Sequence, residues 1–506
     1  MTERTTERTT ERTTERTIVI GGGPAGLTAA WELARAGGSA LVLEADTVVG
    51  GISRTASYDG YRFDVGGHRF FTKVPHVQQV WEELIGDEFL VRPRLSRIFY
   101  RGRMFDYPLK PANAVLGLGP VETVRIGLSY LKAQLFPNRE ERTFEQWVSN
   151  RFGRRLFEIF FKTYTEKVWG MPCSEISAEW AAQRIKDLDL KVAIKQALFG
   201  GLGSRGKVVT SLIEEFHYPR LGPGQMWERC ADKLGERGSE VRLGTRVVRI
   251  EHDGHRVLAV HTRSKAGDEE RHEGASFLSS MPLQQLFEVL DPPPPAEVLA
   301  AAARLRYRDF LTVALIVDEP ELFPDNWIYI HEPNVQVGRI QNYKNWSPDM
   351  VPDPSRTALG LEYFVQEGDA LWTTPDDELL ALATREVEHL GLVPRGRVVD
   401  GTVLRMPKAY PVYDAVYKEA LEVLRGWLAG LENLESVGRN GQHRYNNQDH
   451  SMMTGAHAAW NLGGGDFDVW GVNVEQEYHE EGRGSSVSGD RAVPERVAPV
   501  GAKDDD

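Results

Sequence analysis

Six residues near the start of the chain, Gly21-Gly22-Gly23-Pro24-Ala25-Gly26, constrain its fold more than any other stretch. Gly21, Gly23 and Gly26 occupy the glycine positions of a GxGxxG turn. The first permits a tight turn, the second lets backbone approach a pyrophosphate, and the third lets helix and strand pack closely. Apolar Ile18-Val19-Ile20 predicts a short buried strand before the turn, and a helix is expected from about Ala25 to Ala36 after it. The first turn of such a helix offers unpaired N–H groups and partial positive charge to phosphates. Ala40-Leu41-Val42-Leu43 predicts the next strand, ending at Glu44, where a carboxylate can accept both hydroxyls of a ribose. A glycine-rich turn alone can be merely structural. Strand, turn, helix, strand and terminal acid in register predict a Rossmann-type nucleotide site.

At 506 residues the chain exceeds one compact core, so two or three structural units are expected. The fold class expected is α/β with α+β insertions. A mainly helical stretch runs from about Val121 to Leu198, and the region from about Phe310 to Tyr363 alternates apolar and polar residues as an antiparallel sheet does. A last helix is expected from near Ser451 to about Leu462. Residues Thr2 to Thr17 repeat Thr-Glu-Arg-Thr four times, with nothing to bury, and the stretch from about Glu477 is small and polar; both read as tails.

Composition narrows the class. A net charge of −13 argues against nucleic acid as a general partner, although arginines concentrated in one pocket could still hold an anion. No apolar run approaches the roughly 18 residues of a membrane span, and the polar N-terminus is no signal peptide, so a cytoplasmic protein without a membrane partner is expected. The two cysteines, Cys173 and Cys230, are far apart, which fits neither a disulfide framework nor a zinc site; no metal is expected.

After Glu44 come Gly50-Gly51-Ile52-Ser53-Arg54 and Phe63-Asp64-Val65-Gly66-Gly67-His68, and the chain has a further Gly438-Arg439 near its end. This arrangement resembles the FAD enzymes that include amine oxidases, protoporphyrinogen oxidases and UDP-galactopyranose mutases. The resemblance implies that Gly51, Arg54, Gly66 and Gly67 lie along FAD, with Gly438 and Arg439 returning to it. It also implies a division into an FAD-binding domain (17–95, 222–290 and 432–475), a mainly helical domain (96–205) and an antiparallel-sheet substrate domain (206–221 and 291–431), with tails at 1–16 and 476–506.

Five ordered segments are similar to the mutases, above all their eukaryotic branch. Asp64 to His68 matches a loop beside the flavin ring whose histidine responds to redox state, here His68. Phe105-Asp106-Tyr107-Pro108-Leu109 matches a stretch leading into the helical domain. Phe144 to Trp147, Tyr164, Lys167 to Trp169, Trp180 and Arg184 form the longest match, and it implies that Arg184 reaches a substrate diphosphate. Trp327, Tyr329, Arg339 and Trp346 match residues around the substrate, Arg339 as the second diphosphate arginine and Trp346 in place of a tyrosine. Two guanidinium forks can hold a diphosphate in a geometry that lysine does not reproduce. Lastly, Tyr410, Arg439, Tyr445 and the run Asn447 to Ser451 match phosphate-binding tyrosines, a flavin-side arginine and a helix start facing FAD through Asn447, Asp449 and Ser451. Near Ile213 the mutases have an asparagine that holds uracil; isoleucine cannot, so UDP is the default expectation with dTDP and GDP open.

The resemblance implies an isomerase that interconverts pyranose and furanose forms of a nucleoside-diphosphate sugar, with N5 of reduced FAD attacking the anomeric carbon. Its catalytic residues would be His68, Arg184 and Arg339. NAD(P)H or another reductant would keep the flavin reduced, and the oligomeric state is open. The competing expectation is an FAD-dependent oxidoreductase of the amine oxidase or protoporphyrinogen oxidase kind, which needs no diphosphate arginines.

Overall fold

The computed structural model describes residues 16–107, 109, 111–178, 214–414 and 416–473. Trp180, Arg184 and Ile213 lie outside the described residues.

The first strand, Thr17–Ile20, is the centre of a five-stranded sheet in the order Leu434–Ser436, Ser276–Ser279, Thr17–Ile20, Ala40–Leu43, Glu240–Arg242. Every pair is parallel. Parallel sheets need cover on both faces, which is why these strands read as continuous apolar runs rather than alternating ones. Alternate side chains then part company: Val19, Val42 and Leu278 join one core, and Ile18, Ile20, Leu41, Leu43 and Phe277 the other.

The helix Pro24–Arg35 starts at its proline, which lacks only an N–H that the first turn leaves unpaired anyway. It packs against the last described helix, Gln448–Leu462. A Cβ added at Gly455 would collide with the Ala25 carbonyl oxygen, so the two helices meet backbone to backbone. The last helix begins three residues before the expected Ser451, capped by Asn447, and His450 returns a bond to the Asn447 N–H. Histidine at that position is not the usual glutamate or glutamine of a capping box, so the sequence pattern hid the true start.

A seven-stranded sheet forms the second layer, in the order Val398–Pro411, Tyr307–Val317, Thr357–Val365, Arg339–Asn342, Trp327–Ile330, Ser96–Tyr100, Arg103–Asp106. It is antiparallel except where Trp327–Ile330 runs parallel to Ser96–Tyr100. The segment 96–106, grouped with the helices on sequence, thus supplies the last two strands at one side of this sheet. Its short alternation of buried and half-exposed residues is the strand signal that the grouping passed over. Helices Pro111–Leu118, Pro120–Leu135, Phe144–Phe152, Arg154–Phe157 and Thr163–Trp169 follow, with one π turn at Glu158–Lys162. Such turns often sit at functional sites, because they displace the side chains that follow.

Candidate active site

The two sheets flank one cavity of about 1050 Å³. At one end lies the glycine turn. Gly21 has a φ of +101°, reachable at little cost only without a side chain, and a Cβ at Gly26 would strike the Gly21 carbonyl oxygen. Gly26 therefore acts through packing and does not line the cavity, whereas Gly21 and Gly23 do. The Pro24–Arg35 helix has no side-chain cap at Gly23, leaving its first N–H groups to a ligand. The Glu44 carboxylate accepts from the N–H groups of Gly22 and Asp46, both at 2.7 Å. Those bonds fix its orientation and leave lone pairs for ribose hydroxyls. Gly51, Arg54 (ion-paired to Asp46), Gly438 and Asn447 to Ser451 continue the same wall. Gln448 lies there with neither end of its amide partnered. Asp449 accepts from Thr72 Oγ1 at 3.0 Å. A glycine turn, an uncapped helix start, a preset carboxylate and unpartnered amide atoms fit an extended dinucleotide such as FAD.

Midway sits the Gly66-Gly67-His68 loop. His68 Nε2 lies 2.8 Å from the Ile52 carbonyl and 3.0 Å from that of Val65, so it carries the ring proton and donates it. Burial first, then the nearby charges of Arg439 and Arg339, push the His68 pKa down to about 4. A neutral ring with Nδ1 as acceptor results. Beneath the loop, Asp64 is fully buried and accepts from Thr55 Oγ1 at 3.0 Å and from the Tyr218 hydroxyl. Burial raises its pKa to about 7, against the pull of those hydroxyls and Arg62.

A stability prediction arises here. An unfolded Asp64 ionises from about pH 4, while the folded one resists until about 7, so its contribution to stability is lost as pH rises through that window. Asparagine mimics the protonated acid and does not titrate. The unfolding free energy of Asp64→Asn should therefore match wild type near pH 4 and exceed it by pH 8, by roughly 2–4 kcal/mol in denaturant titrations. Parallel pH profiles for the two proteins would show that Asp64 is ionised in the fold.

The far compartment is aromatic and cationic. Arg339, 9% exposed, donates to the Tyr410 hydroxyl at 2.8 Å and is ion-paired to Glu362, its register partner on the neighbouring strand. Burial holds the Glu362 carboxyl above the ordinary range despite Arg339, whose own pKa stays raised and whose charge is retained. Arg339 Nε is buried without a hydrogen-bond partner among the described residues. Among the described residues, Arg439 donates to the carbonyls of Asn446 (2.8 Å) and Ala409 (3.1 Å), both neutral, and packs 4.7 Å over the Tyr445 ring. A guanidinium held by neutral acceptors suits an anion. Tyr410 and Tyr445 stack at 5.6 Å, and Trp327, Tyr329, Tyr164 and Tyr107 line the same cavity.

Of the described residues expected at the site, all line this cavity except Gly26 and Trp346. Trp346 is a correction: it is fully buried behind Trp327, with Nε1 donating to the Asn326 carbonyl at 2.9 Å and Phe216 and Tyr218 packed on it. The short helix Tyr343–Trp346 turns the side chain into the core, where the larger indole fills space and satisfies its own N–H. Sequence reasoning passed over Glu362, although a lone acid within the wholly buried strand Thr357–Val365 signals a buried cation. Among the described residues, no cluster of His, Cys, Asp and Glu could hold a metal, and no helix is long and apolar enough to cross a membrane.

The chain is 22% identical over 477 residues to a coproporphyrinogen III oxidase of Propionibacterium freudenreichii subsp. freudenreichii, covering 84% of this chain and 86% of that one. Its fold superposes on a reduced UDP-galactopyranose mutase with a TM-score of 0.77 at 23% identity, over 91% of this chain and 98% of the other. A protoporphyrinogen oxidase-like protein from Exiguobacterium sp. 255-15 gives a TM-score of 0.63 at 19% identity, over 87% and 98%. The family model for flavin containing amine oxidoreductase matches residues 24–409, most of the chain, and the protein belongs to that family.

Proposed function

We propose that the chain is an FAD-dependent isomerase that interconverts the pyranose and furanose forms of a nucleoside-diphosphate sugar. The observation that carries this reading is the placement of Arg339 and Arg439, with Tyr410 and Tyr445, in the compartment that continues directly from the dinucleotide wall. The higher TM-score with the mutase than with the oxidase-like fold supports the architecture this needs.

Reduced FAD, when bound, supplies a nucleophilic N5 for the anomeric carbon, so turnover involves no net oxidation. The residues of the chain do the rest by placement. Arg339 and Arg439 hold the diphosphate while it is detached and keep it within reach for return. The Tyr410 oxygen accepts from Arg339, which leaves its own O–H to donate to a phosphate oxygen. Trp327 and Tyr329 exclude water from the sugar. His68 keeps the glycine loop closed through its two carbonyl bonds. Arg184, outside the described residues, is a further diphosphate arginine of the proposal. Holding reactants in this way can supply roughly 7–11 kcal/mol of a barrier.

The second reading, oxidation of a small molecule with FAD as acceptor, is favoured by the long match to a coproporphyrinogen III oxidase. One anaerobic experiment separates the two. The flavin is reduced with dithionite and UDP-galactopyranose, dTDP-hexose and GDP-hexose are offered singly. Furanose formed only by the reduced enzyme, without stoichiometric flavin oxidation, is the expected result. No conversion of any of them, together with substrate-dependent reduction of the oxidised flavin by a porphyrinogen or amine, would replace the isomerase with the oxidase.

A further inference from the structure

The loop 331–338 joins the strands Trp327–Ile330 and Arg339–Asn342, so its shape sets where Arg339 enters the cavity wall. Two side chains grip it. Lys167 Nζ donates to the carbonyls of Glu332 at 2.6 Å and Val337 at 3.1 Å. The buried Glu386 carboxylate, on the helix Asp376–His389, accepts from the N–H groups of Gln336 at 2.5 Å and Val337 at 3.0 Å. Val337 is thus held at both its N–H and its carbonyl, two residues before Arg339. Gly338 follows, its N–H donating to the Glu362 carbonyl at 2.9 Å, where the pairing that sets Arg339 beside Glu362 begins. Lys167 stands on the helix Thr163–Trp169, whose Tyr164, Thr165 and Val168 line the cavity, although Lys167 itself does not. An ammonium, a compact charge with three donors, suits two carbonyls of one loop.

We propose that Lys167 is a positioning residue for Arg339, tying the cavity-lining helix to the loop that places the guanidinium, and through it governs the grip on a substrate diphosphate. This rests on the nucleotide-sugar reading. The charged and titratable groups around the ammonium are Glu332 and His331 from the loop, Glu386 from the helix behind it, and Arg308 from the sheet, which donates to the Lys167 carbonyl at 3.5 Å. Burial pushes the Lys167 pKa down to about 8, against the attraction of Glu386 and Glu332. His331, pushed down to about 3 by burial and then by Lys167, stays neutral. Below pH 8 a charged donor therefore holds the two carbonyls. Above it a neutral amine makes weaker bonds, so the grip loosens as pH rises through that value.

The test is calorimetric titration of the FAD-loaded enzyme with UDP between pH 7 and 9, dTDP or GDP replacing it if UDP does not bind. Lys167→Met removes the donors, whereas Lys167→Arg keeps donors and a charge that does not titrate. At pH 7 Lys167→Met should bind the nucleotide about 10-fold more weakly than wild type, the scale of one charge-assisted hydrogen bond. Wild type should lose most of that factor by pH 9. Lys167→Arg should match wild type at pH 7 and stay level to pH 9, a rescue that a merely structural lysine would not give. In the Arg339→Ala/Glu362→Gln background, Lys167→Met should cost nothing further. Undiminished affinity in Lys167→Met, or the same loss in that background, would overturn the inference while leaving the isomerase intact. If Lys167→Met does not fold, Lys167→Arg decides alone: a decline to pH 9 equal to that of wild type would overturn it. Binding of none of the three nucleotides to wild type would remove the nucleotide-sugar reading itself, and this inference with it.

Discussion

Arg339→Ala should unfold at a markedly lower temperature than wild type, and adding Glu362→Gln should restore most of the loss without restoring turnover. Glu362 is completely buried, and Arg339 is the cation paired with it. Removing one member of a buried pair leaves an uncompensated charge and costs roughly 3–5 kcal/mol, more than most single substitutions. The raised Glu362 pKa gives it an escape, protonation, so the deficit should shrink as the pH is lowered. Glutamine at 362 removes the charge and keeps an acceptor for Gln341, which now donates to Glu362 at 2.7 Å. Stability and catalysis separate at that point. The double variant should still bind FAD, because neither residue lies on the dinucleotide wall, yet nucleotide-sugar turnover should stay down by about 10²–10³-fold for want of the guanidinium. Thermal midpoints, the 450 nm flavin absorbance and the anaerobic furanose assay read the three quantities. An Arg339→Ala protein as stable as wild type would dissolve the pair. A double variant that turns over normally would remove Arg339 from the diphosphate.

Much of the dinucleotide half was legible because its signals are local. Gly21, Gly23, Gly26 and Glu44 act within one turn and two strands, and backbone conformation and helix polarity dictate where they go. The far compartment depends on pairings remote in sequence, and there the reading was uneven. Arg339 and Tyr410 were singled out, and the sheet does bring them within 2.8 Å of each other. Trp346 was singled out too and turned into the core, because matching Trp327, Tyr329 and Trp346 in sequence cannot say which of them a short helix will bury. Glu362 was missed for the opposite reason: its meaning lies in the strand register that sets it beside Arg339, and register is a tertiary fact.

Neighbouring glycines of the flavin-side loop should behave very differently when each is changed to alanine, with Gly67→Ala losing FAD and Gly66→Ala keeping it. Gly66 has a φ of +82°, but a Cβ there would meet nothing closer than 3.7 Å. Its substitution therefore costs left-handed backbone strain, about 1–2 kcal/mol, and little else. Gly67 has no such backbone requirement. A Cβ there would lie 1.5 Å from Cζ3 of Trp327, 2.3 Å from Cε3 and 2.7 Å from Cη2. Trp327 is itself held in the strand Trp327–Ile330 with Tyr329 and Trp346 around it, so the indole cannot retreat. The loop must move instead, taking His68 from the Ile52 and Val65 carbonyls that anchor it. Overpacking of this kind costs typically 1–3 kcal/mol in stability; here the displaced loop also lies against the dinucleotide wall, so flavin content should fall further than stability. Trp327→Leu in the Gly67→Ala background removes the obstructing ring and should return both the thermal midpoint and the flavin absorbance toward wild type. Equal flavin content in the Gly66→Ala and Gly67→Ala proteins would mean that the loop and the indole do not meet as described, and the wall that this contact builds between flavin and substrate would have to be drawn elsewhere.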